Sequence, residues 1–271
     1  MRNLSRRFAC IFPGTGKPLI ALCHLPPLPG TLGYDAEQGI AGILAAARRD
    51  LDTLLAQPEI DGILLCNTGD RPYSLRADLA GVAALARVIG ALAPRDRPFG
   101  IEFRCDARAA LAVAVATGAA FIRAVAGGLY ASDMGLWSSD TAALLRQRHA
   151  LHADDVAIFM DLTPLFAAPL GTRALAERAR SLARSSLPDA MLVSGPAGDV
   201  RMVKEAIGAD VPVLAGGGST AGSLAAYLRV ADGAIVDPAP EDGNPAQPID
   251  EERLRLLVAE KRNGLAGEWP G

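Results

Sequence analysis

Leu22-Cys23-His24-Leu25-Pro26-Pro27-Leu28-Pro29-Gly30 lies where the apolar run of residues 18–22 ends. Three prolines within four residues hold φ at about −65° and remove three backbone donors, so an extended strand has to stop here in a stiff loop. A strand that ends in a histidine and continues into a rigid loop is typical of the edge of an active site. The segment therefore predicts the first strand of a sheet and a first candidate site residue, His24.

The same pattern recurs along the chain: an apolar segment, a polar or glycine-rich end, and then a segment of helical periodicity. Strands are predicted at residues 18–24, 61–66, 99–105, 120–125, 156–162, 190–194, 211–215 and 233–236. Helices are predicted at residues 36–55, 77–92, 106–117, 139–152, 172–185, 200–207, 220–228 and 250–261. Continuous apolar strands that alternate with helices indicate an α/β protein with a parallel sheet, and eight repeats predict a closed (β/α)8 TIM barrel.

An open, doubly wound sheet is the competing architecture. Such a sheet would carry a glycine-rich dinucleotide turn after its first strand, where this chain has prolines. Barrels of about 250 residues commonly form one domain. We therefore expect a single domain over residues 1–271, with an N-terminal extension at 1–17 and a proline-rich loop at 238–249 before the last helix.

Composition restricts the class of partner. Charged residues make up 21% of the chain, the formal net charge is −3, and no basic stripe is present, so we expect no nucleic-acid partner. An apolar run of about 18 residues, which a membrane span needs, does not occur, and no signal-peptide core follows the N-terminal arginines. We expect a cytoplasmic protein with a small-molecule ligand. The small and aliphatic residues at 39–47 leave a homo-oligomer open.

Polar residues at the carboxyl ends of the predicted strands are the candidate site, because barrel chemistry is performed at that face. The catalytic candidates, chosen as proton-exchanging or polar groups, are His24, Asp161, Glu102, Asn67 and Asp70. The substrate-binding candidates are Arg104, Arg123, Ser194, Gly195, Gly216, Gly217, Gly218 and Ser219. If the site holds a divalent metal ion, Asp161 is the expected ligand. No nucleotide-cofactor motif is present.

Structural interpretations of the same residues stay open. Glu102 pairs either with Arg123 across the barrel interior or with Arg104, which shares its face of one strand. Asn67-Thr68-Gly69-Asp70 is also a turn-forming set whose side chains bond to the backbone.

The loop Gly216-Gly217-Gly218-Ser219 follows the seventh predicted strand and opens a helix. Glycines let a backbone approach an anion closely, and barrel phosphate sites often follow strands seven and eight. The eighth strand, however, ends in Asp237-Pro238, which adds negative charge and removes a donor. Phosphate binding and a simple tight turn are therefore both compatible with this loop.

Several segments together resemble the BtpA/SgcQ family, which includes photosystem I biogenesis proteins. The matching residues are His24-Leu25-Pro26-Pro27-Leu28-Pro29-Gly30, Asp61-Gly62-Ile63, Asn67-Thr68-Gly69-Asp70, Gly118-Ala119-Ala120-Phe121-Ile122-Arg123, Asp133, Gly135, Ala168-Pro169-Leu170, Asp189-Ala190, Ser194-Gly195 and Ala231-Asp232-Gly233-Ala234-Ile235-Val236. They run from about Pro18 to Val258. The resemblance implies a TIM barrel of the ribulose-phosphate-binding type and a small phosphorylated or sugar-like ligand.

The chain departs from this family's pattern at several polar positions. Cys66 stands in place of an acidic residue, Glu102 and Val125 in place of asparagines, Leu165-Phe166 in place of a Lys-His pair, Asp237-Pro238 in place of a Gly-Thr turn, and Pro240 in place of a lysine. The resemblance is therefore to a diverged member, with a changed ligand or without catalysis.

Two functions follow from these observations. The first is an enzyme of the lyase, aldolase or isomerase type whose small substrate, phosphorylated or not, is sugar- or nucleoside-like. Asp161 or Glu102 would act as base, His24 as acid/base, and Arg104 or Arg123 as anion clamp; no lysine ends a predicted strand, which disfavours a Schiff base. The alternative is a non-catalytic binding or assembly factor. Polarity concentrated at strand ends favours the enzyme.

Overall fold

The computed structural model describes residues 5–217, 222–240 and 247–266. In chain order its elements are α1 (Ser5–Ile11), β1 (Leu19–His24), α2 (Gly39–Leu55), β2 (Gly62–Cys66), α3 (Leu79–Leu92), β3 (Phe99–Glu102), α4 (Ala107–Thr117), β4 (Phe121–Val125), β5 (Gly128–Ser132), β6 (Gly135–Ser139), α5 (Thr141–Ala150), β7 (Ala157–Asp161), β8 (Ala167–Pro169), α6 (Leu175–Ser185), β9 (Ala190–Ser194), α7 (Ala197–Ile207), β10 (Val213–Gly217), α8 (Leu224–Leu228), β11 (Ala234–Val236) and α9 (Glu251–Ala266).

Eight parallel strands close into a barrel in the order β1-β2-β3-β4-β7-β9-β10-β11. The last strand pairs with the first, Leu19 lying opposite Ala234, and this closure excludes the open sheet. The predicted TIM barrel is confirmed, and each predicted barrel strand overlaps an observed one. The third strand ends at Glu102 instead of Cys105, because the chain turns where the Asp106 amide donates to the Phe103 carbonyl and Cys105 adopts φ +74°.

Helix α1, which the sequence pattern did not predict, covers the amino-terminal end of the barrel. Its Phe8 and Phe12 are buried and join the phenylalanines of β4 and β7, whose rings are stacked with centroids 4.6 Å apart. Arg7 of the same helix donates to the carboxylate of Asp189, just before β9, at 2.8 Å. The barrel interior at its amino-terminal end is therefore apolar and rich in aromatic rings.

A second, three-stranded antiparallel sheet with the order β6-β5-β8 lies beside the barrel strands. The buried rings of Tyr130 and Trp137 project from β5 and β6, and they pack with Val125 and Phe166. This sheet was also absent from the sequence prediction. It places aromatic side chains next to the carboxyl ends of β4 and β7.

The apolar residues of α2 pack against the core of this same chain. Ile43 and Ala47 belong to the core between helices and strands, and Ile40 and Leu44 pack against it. This packing accounts for the small and aliphatic face at residues 39–47, so the homo-oligomer remains a prediction. Among the residues that the structure describes, no helix combines the length and the apolar character needed to cross a bilayer.

Candidate functional site

The carboxyl ends of the barrel strands, hereafter the barrel mouth, carry a group of buried polar side chains. Glu102, Arg123, Asp161 and Ser194 each end a strand or stand near its end, and all four are buried. Buried charges are rare unless they are paired. The contacts among these residues therefore determine what the site can do.

Arg123 and Asp161 form the strongest ion pair of the barrel mouth. The Nε atom of Arg123 donates to one carboxylate oxygen at 2.7 Å and its Nη2 atom to the other at 3.2 Å. The same Nη2 atom also donates to the Gly216 carbonyl at 3.2 Å, which ties β4 and β7 to β10. Both oxygens of Asp161 are thus engaged by a guanidinium group in bidentate geometry.

Glu102 lies between two guanidinium groups without a hydrogen bond to either. Its carboxylate oxygens lie 3.5 Å from Nη1 of Arg123 and 3.6 Å from Nε of Arg104, so both pairings considered from the sequence are present as longer contacts. Burial alone would raise the pKa of Glu102, but the two cations outweigh burial and hold this pKa below its usual value. Glu102 is therefore an ionised carboxylate whose Oε2 atom has no hydrogen-bond partner.

Arg104 is held by aromatic rings as well as by charge. Its guanidinium carbon lies 5.1 Å from the ring centroid of Tyr73 and 5.6 Å from that of Phe166, within the range of cation–π attraction. Its buried Nε atom has no hydrogen-bond partner. The cation is thus fixed in position and retains an unused donor.

His24 links the first strand to both of its neighbours. Its Nδ1 atom lies 2.6 Å from Oγ1 of Thr68, and its Nε2 atom lies 2.9 Å from Oδ1 of Asp237. Burial opposes the charged imidazole, but Asp237 and, to a lesser extent, Cys66 together outweigh burial and raise the pKa of His24 to about 10. Both ring nitrogens of this imidazolium are therefore donors within the protein. The sequence analysis did not predict the pairing of Asp237 with His24.

Asn67 and Asp70 join two loops at the barrel mouth. The Asn67 side chain donates to Asp70 at 2.9 Å and accepts the Arg104 amide at 2.6 Å, while Asp70 accepts the amide of Leu28 at 2.7 Å. Between them, a Cβ atom on Gly69 would lie 2.4 Å from the nitrogen of Pro27. The loop of residues 25–30, which follows β1, is therefore held against the turn that follows β2.

Ser194 and Gly216 shape the opposite side of the barrel mouth. The Ser194 hydroxyl is buried without a hydrogen-bond partner. A Cβ atom on Gly216 would lie 3.2 Å from this hydroxyl and 3.4 Å from Oδ1 of Asp161, so the glycine leaves space between the two groups. The Gly195 carbonyl accepts from the Tyr227 hydroxyl at 2.8 Å. Gly217 ends β10, and Gly218 and Ser219 lie outside the described residues.

Two cavities adjoin this group. The larger, which we call the lateral cleft, has a volume of about 540 Å³ and reaches from Glu102, Arg123 and Asp161 outward between α4 and α5. The smaller, of about 270 Å³, lies beside Arg104 and residues 30–32. Neither cavity is lined by His24 or Ser194. In the described part of the chain, no three His, Cys, Asp or Glu side chains are grouped so as to hold a metal ion.

Sequence comparison identifies relatives along almost the entire chain. A model of the BtpA family matches residues 15–263. The putative sgc region protein SgcQ of Escherichia coli is 34% identical over 254 residues, covering 90% of this chain and 94% of the relative. The photosystem I biogenesis protein BtpA of Synechocystis sp. is 32% identical over 263 residues, covering 93% of this chain and 90% of the relative.

Solved structures support the fold independently. Native KDPGal superimposes with a TM-score of 0.54 at 13% identity, covering 93% of this chain and 98% of the other. The 7,8-dihydropteroate synthase of Vibrio fischeri superimposes with a TM-score of 0.55 at 13% identity, covering 94% and 95%. Identities this low carry the fold alone. The family match, by contrast, spans most of the sequence, and the chain belongs to the BtpA family.

Proposed function

We propose that the chain is an enzyme of the lyase or isomerase type that acts on a small, hydroxylated, sugar-like substrate at the barrel mouth. One observation carries the proposal. Four buried side-chain atoms in the described part of the chain have no hydrogen-bond partner, and three of them stand at this one end: Glu102 Oε2, Arg104 Nε and Ser194 Oγ. A buried polar group without a partner costs about 1–3 kcal/mol, and Glu102 and Arg104 each line one of the two cavities, so a ligand bound there explains why these two are left without partners.

The three unpartnered atoms differ in chemistry. Glu102 offers an ionised acceptor, Arg104 a charged donor, and Ser194 a hydroxyl that serves either way. A molecule with several hydroxyl groups and a carbonyl or an anionic group matches this set. Arg104 is the cation for the anionic group, because Arg123 is already engaged by Asp161.

The same groups support proton transfer at carbon. Glu102 takes a proton from the carbon next to the substrate carbonyl, and the carbonyl oxygen receives a proton from a water molecule in the cleft, so that a C–H bond is exchanged for an O–H bond and an enediol forms. Return of the proton from Glu102 to the neighbouring carbon, while the hydroxyl on the original carbon loses its proton to water, moves the carbonyl by one carbon and gives an isomerase. Expulsion of a leaving group with its bonding electrons from the next carbon, while an enediol hydroxyl loses its proton to water, gives a lyase.

Deuterium exchange tests this chemistry without knowledge of the final product. The protein is incubated in D2O with a panel of ketose and aldose phosphates and the free sugars, and NMR follows loss of the proton at the carbon next to the carbonyl. We expect exchange for at least one compound and at least a hundredfold slower exchange in Glu102→Gln. Glu59→Gln is the matched control, since Glu59 carries the fourth unpartnered atom and lies ahead of β2, at the other end of the barrel.

A non-catalytic binding factor remains the second candidate. The relative in Synechocystis is described as a photosystem I biogenesis protein, and Leu129 and Leu136 are exposed on the sheet beside the barrel. The same experiment separates the two functions. A binding factor would be stabilised against heat by one of the compounds and would exchange no deuterium with any of them.

Another expectation belongs to the same proposal. Phosphate binding near Gly216 and Gly217 is supported by their position at the end of β10, the seventh strand of the barrel in chain order. Inorganic phosphate that raises the melting temperature of the protein, and that fails to do so in a Gly217→Asp variant, would support the phosphate site.

A further inference from the structure

We infer that the substrate carries a flat, uncharged apolar substituent, such as an aryl group, which lies in the lateral cleft while the hydroxylated part lies at the barrel mouth. The inference rests on the proposed function and names the class of its substrate. The cleft leads away from the barrel axis instead of lying over it.

The two ends of the cleft differ. Its inner end is formed by Glu102, Arg123 and Asp161. Its outer end is bordered by Arg108 of α4 and Gln147 of α5, where Nε of Arg108 donates to the side-chain oxygen of Gln147 at 2.6 Å. A volume of about 540 Å³ lies within the range of about 300–1,000 Å³ of pockets that hold drug-sized ligands. The cleft therefore accommodates a head group and a substituent together.

The middle of the cleft is apolar and aromatic. The rings of Trp137 and Phe166 are stacked with centroids 5.8 Å apart and an interplanar angle of 19°. Val82, Val125 and Leu144 complete the lining around them. Flat apolar groups pack on such faces through ring stacking and burial. The wall thus recognises shape and apolar surface.

Charges along the cleft disfavour an anionic substituent. Asp106 and Asp140 both line it, and each caps a helix: Asp106 accepts the amide of Ala109 at 3.1 Å, and Asp140 accepts that of Ala143 at 2.9 Å. With Glu102 and Asp161 at the inner end, the lining holds four carboxylates against three guanidinium groups, those of Arg76, Arg108 and Arg123. Arg123 is engaged by Asp161 and Arg108 by Gln147, so an anionic substituent would meet an excess of negative charge. An uncharged substituent would meet no such repulsion.

Paired glycosides test the inference. Methyl and phenyl glycosides of the same sugars (ribose, xylose, glucose and galactose) differ only in the substituent. Isothermal titration calorimetry measures the affinity of the protein for each glycoside. We expect at least one phenyl glycoside to bind at least tenfold more tightly than its methyl partner. We also expect a more negative heat-capacity change for the phenyl glycoside, which reports burial of apolar surface.

Cavity-filling variants locate the effect. Ala112→Leu on α4 fills the cleft and should reduce the phenyl preference to less than threefold, and Ala143→Leu repeats the test from the α5 wall. Ala116→Leu and Ala142→Leu are matched controls on the same two helices, because both positions are exposed and do not line the cleft. Circular dichroism and melting temperature verify that each variant is folded.

Fluorescence supplies an independent readout. The chain has two tryptophans, so Trp269→Phe leaves Trp137 as the only one, and we expect the phenyl glycoside to change its emission. Equal affinity for phenyl and methyl glycosides, or a preference that persists in both cavity-filling variants, would overturn the inference. Neither result affects the deuterium exchange that depends on Glu102, so the proposed function stands or fails separately.

Discussion

Replacing Arg123 by methionine tests how much the charged layer of the barrel mouth contributes to stability. The guanidinium group is buried, donates twice to Asp161, and lies 3.5 Å from Glu102. Methionine keeps most of the volume and leaves two buried carboxylates without that cation. Loss of one partner from a buried ion pair costs about 3–5 kcal/mol. For a chain of this size, this loss corresponds to a fall in melting temperature of about 6–20 °C.

Urea unfolding followed by circular dichroism measures this loss. The matched control is Glu252→Gln, which removes a partner of Arg255 from an exposed pair on α9 and should change stability by less than about 1 kcal/mol. In the double variant with Asp161→Leu, no aspartate is left buried without its cation, so the two effects should couple by several kcal/mol. A loss below about 1 kcal/mol for Arg123→Met, or a coupling near zero, would refute this account of the pair.

Two further predictions concern His24 and Gly69, which lie next to the loop of residues 25–30. The pKa of His24 is raised from 6.5 to about 10, so the contribution of its charged form to the free energy of unfolding is complete below pH 6.5 and is lost as the pH rises to 10. This free energy should fall by up to about 1.4 kcal/mol per pH unit in that window. Urea titrations at several pH values should show a flatter pH profile for His24→Gln than for the parent protein, and parallel profiles would contradict the prediction. Gly69→Ala should destabilise the protein by about 1–3 kcal/mol, because the added carbon would clash with Pro27. The control Gly198→Ala on α7, where nothing lies within 4 Å, should be neutral or stabilising by up to about 1 kcal/mol. Thermal melts compare the two variants, and equal melting temperatures would exclude the clash.

The barrel was predictable from the sequence because its strands are apolar on both faces and each is followed by a helical segment. The second sheet was not, since β5 and β6 are five residues long and have three exposed positions each. Their alternation places one aromatic residue inward per strand, Tyr130 and Trp137. This signal is too weak to separate a short strand from a loop.

The site residues were predictable as a set, but their pairing was not. Strand ends placed Glu102, Arg123 and Asp161 in one region, whereas the choice of partner for Arg123 depends on the stagger between strands. The bidentate bonds go to Asp161, and Glu102 receives only the longer contacts. The role of Asp237 follows from barrel closure, which brings the last strand beside His24, the residue at the end of the first.

Aromatic residues of the site escaped prediction for a different reason. Tyr73 and Phe166 stand in loops, and their partner Arg104 stands just beyond the end of β3. No spacing rule connects positions that are so far apart in the chain. Only the folded arrangement shows that they hold one cation between them.

The aromatic closure by α1 has a consequence for the order of assembly. This helix precedes every barrel strand, yet its Phe8 ring packs on Phe159, with centroids 5.8 Å apart, and its Arg7 needs Asp189. During synthesis, the surface on which α1 packs is incomplete until residue 189 has left the ribosome. Helix α1 therefore remains undocked during synthesis, with Phe8 and Phe12 exposed to solvent, and it is among the last parts of the molecule to dock.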